Sequence, residues 1–283
     1  MQRVRIADWQ PQADPDIAIF SIARPDGGQF AAFQAGQYVQ LALWQQPADD
    51  PRPRQFSIAS SPFQPDRLEV YVILVRDELP DGGERLGTFT GALWERRPGD
   101  EILCMAHPAG RFLLSRTPQR EVICIATGTG LAPFISMARG LWHEYQRTGS
   151  IDRRLTIIHG VSHARQLGYR DLLEEMAADE GFGLLYVPTV SRPDGDDDYT
   201  SAFCRGRAND LVRLHCGLPK SGRVEPWMPT RYADELRRRV SVSDSAVYIC
   251  GNPDMIADAK QSLAGQGFEV EGREAQVITE DYW

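Results

Sequence analysis

Short runs of β-branched and aromatic residues punctuate the first 117 positions: Val4-Arg5-Ile6, Ile17 to Ile22, Tyr38 to Leu43, and the longest, Leu68 to Val75. Gly/Pro/Asp clusters such as Pro25-Asp-Gly-Gly28 and Asp49-Asp-Pro-Arg-Pro53 separate them. Punctuation of this kind predicts strands joined by turns. Pro98-Gly99-Asp100 reads as a turn feeding one more strand, Glu101 to Met105. Short strands at this spacing predict an antiparallel barrel or sandwich. After Ser115 to Arg120 the rhythm changes. Glu121 to Ala126 is continuously apolar, the pattern of a strand buried on both faces of a parallel sheet. A Gly/Thr loop and a helix from Pro133 to about Gln146 follow, then strand Leu155 to His159, helix Tyr169 to Ala178 and strand Leu184 to Val187. Strand Ala246 to Cys250 and the helix Pro253 to Ala264 complete an alternation that predicts βαβ units in a doubly wound sheet. Pro193 to Asp198 reads as an acidic loop and Leu218 to Trp227 as an irregular insertion.

A length of 283 residues agrees with two domains, and the change of rhythm puts the division at residue 117, giving 1–117 and 118–283. The net charge of −8 disfavours sequence-independent nucleic-acid binding. No stretch reaches the length of a membrane-spanning apolar segment, and the start, Met1 to Asp8, has no secretory-signal pattern. Cys104, Cys124, Cys204, Cys216 and Cys250 are scattered without a CxxC pair, which disfavours a disulfide framework or a metal site and suits a reducing cytoplasm.

Two corners of the predicted parallel sheet carry the chemistry. Ala126-Thr127-Gly128-Thr129-Gly130-Leu131-Ala132-Pro133 joins a buried strand to a helix, where glycine lets backbone N–H groups approach an anion. Val247-Tyr-Ile-Cys-Gly-Asn-Pro253 forms a second strand-to-helix corner. Ligands bind at the carboxyl ends of such strands, so two corners point to one elongated, phosphate-bearing ligand. In the barrel half, Arg54-Gln55-Phe56-Ser57 combines an arginine able to clamp a phosphate with an aromatic projecting from the same strand face.

With Gly87-Thr88-Phe89-Thr90, Pro98-Gly99-Asp100 and Gly110-Arg-Phe112, the Arg-x-aromatic-Ser segment resembles the flavin domain of ferredoxin–NADP reductases. The GTGLAP loop, His159-Gly160 and the CGNP corner resemble that family's pyridine-nucleotide domain, and the terminal Tyr282-Trp283 is similar to the tail of its bacterial ferredoxin/flavodoxin members.

The resemblance implies FAD and NADP as cofactors. It would put Arg54 on the FAD diphosphate, Gln55 and Phe56 at the flavin, and Ser57 near the reactive N5 edge. Phe56 stands where the family usually has tyrosine, which keeps the stacking ring and loses one hydroxyl. Tyr71, Val72, Ile73 and Leu74 would run under the isoalloxazine, and Thr88, Phe89 and Thr90 would serve the diphosphate. Thr129 would lie near both cofactors, with Asn252, Pro253, Asp254 and Asp258 along the nucleotide's path. Cys250 would sit beside the nicotinamide in a positional role, and His159 would be structural. Ser191, Arg192 and Arg207 would receive the 2′-phosphate. Ser162 departs from the family, which carries an arginine there; His163 or Arg165 would have to substitute. Tyr282 would cover the flavin face opposite Phe56, and Trp283 the adenine of a folded FAD.

The activity implied is hydride transfer between NADPH and flavin N5, with single electrons passed to or from ferredoxin or flavodoxin by a cytoplasmic monomer. Alternatives are the reductase component of an oxygenase, a free-flavin reductase, or a non-catalytic flavin-binding subunit. The barrel half is not basic on average, with 12 Arg against 15 Asp and Glu among residues 1–117. A docking patch for an acidic carrier would therefore be local, drawn from Arg52, Arg54, Arg96, Arg97, Arg111 and Arg116.

Overall fold

The computed structural model of the chain describes residues 1–43, 53–79 and 82–281. Its first half is a six-stranded antiparallel sheet built from β1 (Gln2–Pro11), β2 (Ile17–Ala23), β3 (Tyr38–Ala42), β4 (Arg54–Ser57), β5 (Arg67–Ile73) and β8 (Glu101–Cys104), in the order β4-β3-β8-β1-β2-β5. A bridge between Ile58 and Val70 joins the two edges, and the sheet closes as a barrel. Between β5 and β8 lie a hairpin, β6 (Arg76–Glu78) with β7 (Glu84–Leu86), and the short helix α1 (Thr88–Trp94).

The second half is a parallel sheet with helices on both faces. Its strands β9 (Glu121–Thr127), β10 (Arg154–Val161), β11 (Leu185–Val190), β12 (Cys204–Arg205), β13 (Ser245–Cys250) and β14 (Val277–Glu280) take the order β12-β11-β10-β9-β13-β14. The chain runs outward from β9 to β12 and then returns to the other side of β9 as β13. That reversal creates the crevice where doubly wound sheets receive ligands. Helices α2 (Ala132–Thr148) and α3 (Arg170–Ala178) pack on one face; α4 (Ala208–His215), α5 (Thr230–Arg239) and α6 (Pro253–Ala264) pack on the other. Among the described residues no helix is long and apolar enough to cross a membrane.

The predicted β-to-α/β change of rhythm is present, and residues 218–227 are irregular as expected, apart from one bridge between Trp227 and Arg205. Helices α4 and α5 on either side of that segment, and the β6–β7 hairpin, go beyond what the hydrophobic pattern predicts.

Strand β2 explains how the halves join. Ala18, Phe20 and Ile22 point into the barrel core, while Ile17 and Ile19 point outward yet are also buried. They share one cluster with Ala59, Tyr71 and Phe112 of the barrel half and with the side of the parallel sheet covered by α2 and α3. Polar contacts fasten the same joint. Ser136 Oγ donates to the Ser60 carbonyl at 2.7 Å, Arg139 donates to the Ala59 carbonyl at 3.0 Å, and Tyr71 Oη donates to the Gln166 carbonyl at 3.3 Å. Glu69 accepts from both Arg139 and Tyr169.

Candidate active site

Two cavities meet in the crevice at the carboxyl ends of β9 and β13. The first, of about 360 Å³, lies between barrel and parallel sheet. Arg54, Gln55, Phe56 and Ser57 of β4, Tyr71, Val72 and Ile73 of β5, and Thr88, Phe89 and Thr90 at the start of α1 line its barrel side. Thr127, Thr129, Gly130, Cys250 and Gly251 line the other. The second, of about 590 Å³, extends over the parallel sheet between Ser162, Ser191, Arg207, Asn209, Ser221, Asn252, Asp254 and Asp258. Ile73, Thr127 and Thr129 border both, so the two spaces adjoin there.

The first cavity suits a flat ring with an anionic extension. The half-buried Phe56 ring lies 5.4 Å from that of Phe89, and Ile73 presents an exposed apolar side chain beside them. At the mouth, exposed Arg54 makes a 3.2 Å bond to the carbonyl of Pro53, and the N-terminal end of α1 favours negative charge. Ser57 is buried on the same strand. These donors and apolar faces fit the flavin dinucleotide that the sequence motifs imply.

The corner loops are built against each other. Gly128 has φ +53° and Gly251 has φ +137°, both outside the usual range of residues with a Cβ. A Cβ on Gly130 would run into the Cys250 backbone carbonyl, and one on Gly251 would strike Thr127. Thr127 Oγ1 accepts from the Asn252 N–H at 2.9 Å, tying the corners together. Asn252 also caps α6, its side-chain oxygen accepting from the N–H groups of Asp254 (2.9 Å) and Met255 (3.2 Å). Below the first loop, buried His159 donates from Nε2 to the Gly128 carbonyl at 3.2 Å and accepts at Nδ1 from the Tyr186 hydroxyl at 3.4 Å. Burial pushes its pKa down to about 4, so the ring is neutral. Cys250 is buried, and burial pushes its thiol well above the usual range. A protonated thiol there contributes shape rather than nucleophilicity.

Three residues named from sequence line neither cavity: Leu74, Arg192 and Pro253. Leu74 is buried, its N–H donating to the Asp16 carbonyl at 2.7 Å. Arg192 follows Ser191 but is exposed outside the lining, and Pro253 is the first residue of α6. Tyr282, Trp283 and Arg52 lie outside the described residues. The two groups that would compensate for Ser162 are engaged elsewhere. Arg165 pairs with Asp14 at 3.3 Å, and His163 Nδ1 lies 3.7 Å from Asp196 of the acidic loop. Thr127 and Gly130, quoted from sequence only within the loop motif, join the site, and so do Asn209 and Ser221. Thr127 and Gly130 are part of the Gly/Thr loop, whereas Asn209 and Ser221 belong to no recognisable pattern.

The oxidoreductase NAD-binding domain family matches residues 124–261. The chain is 30% identical over 230 residues to the flavodoxin/ferredoxin–NADP reductase of Escherichia coli strain K12, covering 81% of this chain and 77% of that one. It is 29% identical over 251 residues to the ferredoxin–NADP reductase of Azotobacter vinelandii, covering 85% and 82%. Among solved structures, a ferredoxin NADP⁺ reductase from Neisseria gonorrhoeae with bound FAD and NADP superposes with a TM-score of 0.76 at 22% identity, over 100% of this chain and 98% of that one.

Proposed function

The chain belongs to the ferredoxin/flavodoxin–NADP reductase family, and from that premise we propose a division of labour between the two cavities. The smaller holds the FAD ring system and diphosphate, and the larger holds NADPH. Bound flavin supplies the two-electron and one-electron chemistry; the protein supplies placement. Phe56 gives the ring an apolar face, Arg54 and the start of α1 take the diphosphate, and Ser57 offers a hydroxyl from the floor. Arg207 and Ser191 receive the phosphate-bearing ribose of the nucleotide. Thr129 and Cys250 stand where the two ligands approach, and the neutral thiol keeps that junction free of charge. The division at residue 117 separates the two binding units.

The observation that carries this reading is the border that the two cavities share at Ile73, Thr127 and Thr129. Two ligands seated in them would approach each other there, as hydride transfer requires. The electron acceptor is a separate ferredoxin or flavodoxin, reached by a monomer in the cytoplasm. The five unpaired cysteines fit a reducing compartment.

An acceptor panel tests the assignment. FAD-loaded protein should bleach with NADPH and then reduce ferredoxin or flavodoxin rapidly, at a rate that falls as salt rises. Electron delivery confined to an oxygenase component, or to free flavin, would replace the proposed carrier. A protein that retains flavin but does not bleach with NADPH would refute the reading altogether.

A further inference from the structure

The larger cavity contains two carboxylates, Asp254 and Asp258, where an anionic ligand is expected. Asp258 lines it from α6, about one-fifth exposed. Both of its oxygens are occupied. Arg213 of α4 donates to Oδ1 at 2.6 Å, and Asn209 Nδ2 donates to Oδ2 at 2.7 Å. Arg213 does not line the cavity; it approaches Asp258 from behind, through the packing of α4 on α6. Its Nε also donates to the Pro219 carbonyl at 2.5 Å, reaching the irregular segment that follows α4. Asn209 bridges onward to Ser221 Oγ at 2.9 Å. Buried Asp210 holds that serine in turn, accepting from its N–H at 2.6 Å and its hydroxyl at 2.9 Å. On the same cavity wall, Arg207 is exposed and has no ion-pair partner among the described residues.

We propose that Arg213 sets the preference for a 2′-phosphorylated nucleotide by cancelling the charge of Asp258 from outside the pocket. The inference rests on the assignment of the larger cavity to NADPH. An uncompensated carboxylate in that wall would repel a phosphate and would accept a hydrogen bond from an unmodified ribose hydroxyl, so the same cavity would turn towards NADH. With Asp258 held as one half of a closed ion pair, Arg207 acts on the phosphate against one open carboxylate in that lining, Asp254, rather than two. Arg213 is thus a positioning and specificity-determining residue that need not touch the ligand.

The test is a charge cycle read by binding as well as by turnover. FAD-loaded parent, Arg213→Gln, Asp258→Asn and the double variant are titrated calorimetrically with 2′-phospho-AMP and with AMP. KM and kcat are then measured for NADPH and NADH. Arg213→Gln should weaken 2′-phospho-AMP and raise KM for NADPH by about tenfold, the scale of one nearby uncompensated charge in a partly solvated site. AMP binding, KM for NADH and kcat should change by less than about twofold. The double variant, with both charges gone, should regain 2′-phospho-AMP affinity, and Arg213→Lys should keep much of it. Equal weakening of AMP and 2′-phospho-AMP, or no recovery in the double variant, would reduce Arg213 to a support for Pro219 and overturn the proposal. So would parent-like affinity in Arg213→Gln. If the parent itself does not prefer 2′-phospho-AMP and Arg207→Ala is silent, the nucleotide assignment of the cavity fails instead.

Discussion

The carbonyl of Cys250 fills the space that a side chain at Gly130 would need. One loop end thus acts as the mould for the other, and their separation is set by backbone against backbone. Gly130→Ala should cost on the order of 1–3 kcal/mol, the usual penalty for overpacking a site that cannot relax. It should also weaken nicotinamide nucleotide binding, because the corner must open to admit the methyl group. Denaturant unfolding and NADP⁺ titration of the variant check both effects. A variant with parental stability and affinity would mean that the corners yield easily.

Arg54 is exposed and lines the smaller cavity, and among the described residues its side chain donates to the neighbouring Pro53 carbonyl. Its guanidinium carries the charge that a diphosphate needs. Arg54→Ala should weaken FAD retention by roughly 1.5–3 kcal/mol, the value of a hydrogen bond to a charged group. Flavin release during dilution or gel filtration measures it, and firm retention would remove Arg54 from the diphosphate site.

The two arginines assigned to the 2′-phosphate from sequence differ in position. Arg207 lines the larger cavity, whereas Arg192 is exposed and does not line it. Arg207→Ala should lower kcat/KM for NADPH by about tenfold or more while barely affecting NADH, as expected for loss of a charge-assisted contact. Arg192→Ala should have the smaller effect. The reverse order would place the phosphate nearer Arg192.

His159 gives the chain a pH signature. Its folded-state pKa of about 4 lies below the ordinary 6.5, so the folded protein prefers the neutral ring. As pH falls below 6.5, the unfolded chain takes up a proton that the folded chain refuses, and stability declines until pH reaches about 4. Between pH 7 and pH 5 the loss should be about 2 kcal/mol. His159→Gln should be less stable at pH 7 but should lose less on acidification. Equal slopes for parent and variant would show that His159 does not remain neutral.

Much of this architecture is legible in the chain. The unbroken apolar run at Glu121 to Ala126 announces a strand with both faces covered, and Asn252-Pro253 marks the start of α6. Other parts are hidden for physical reasons. Helix α5 buries only Tyr232 and Leu236 and carries Arg237, Arg238 and Arg239 in its last turn, so its apolar stripe is too narrow to stand out. Every residue of strands β6 and β7 is exposed, and exposed strands have no alternation to display. The Gly/Thr loop and the Arg-x-aromatic-Ser strand are local motifs and can be located directly. The Arg213–Asp258 pair joins residues 45 positions apart on two helices, and no motif records such a contact.

The shared apolar joint has a consequence for recombination between relatives. Ile17, Ile19 and Tyr71 are core residues only while α2 and α3 cover them. A barrel produced without its partner half would expose this surface and should self-associate. A chimaera that exchanges one half for that of another reductase inherits a seam of unmatched side chains at this joint. The unit that can be moved intact is the whole two-domain body, with Glu69, Arg139 and Tyr169 transferred together.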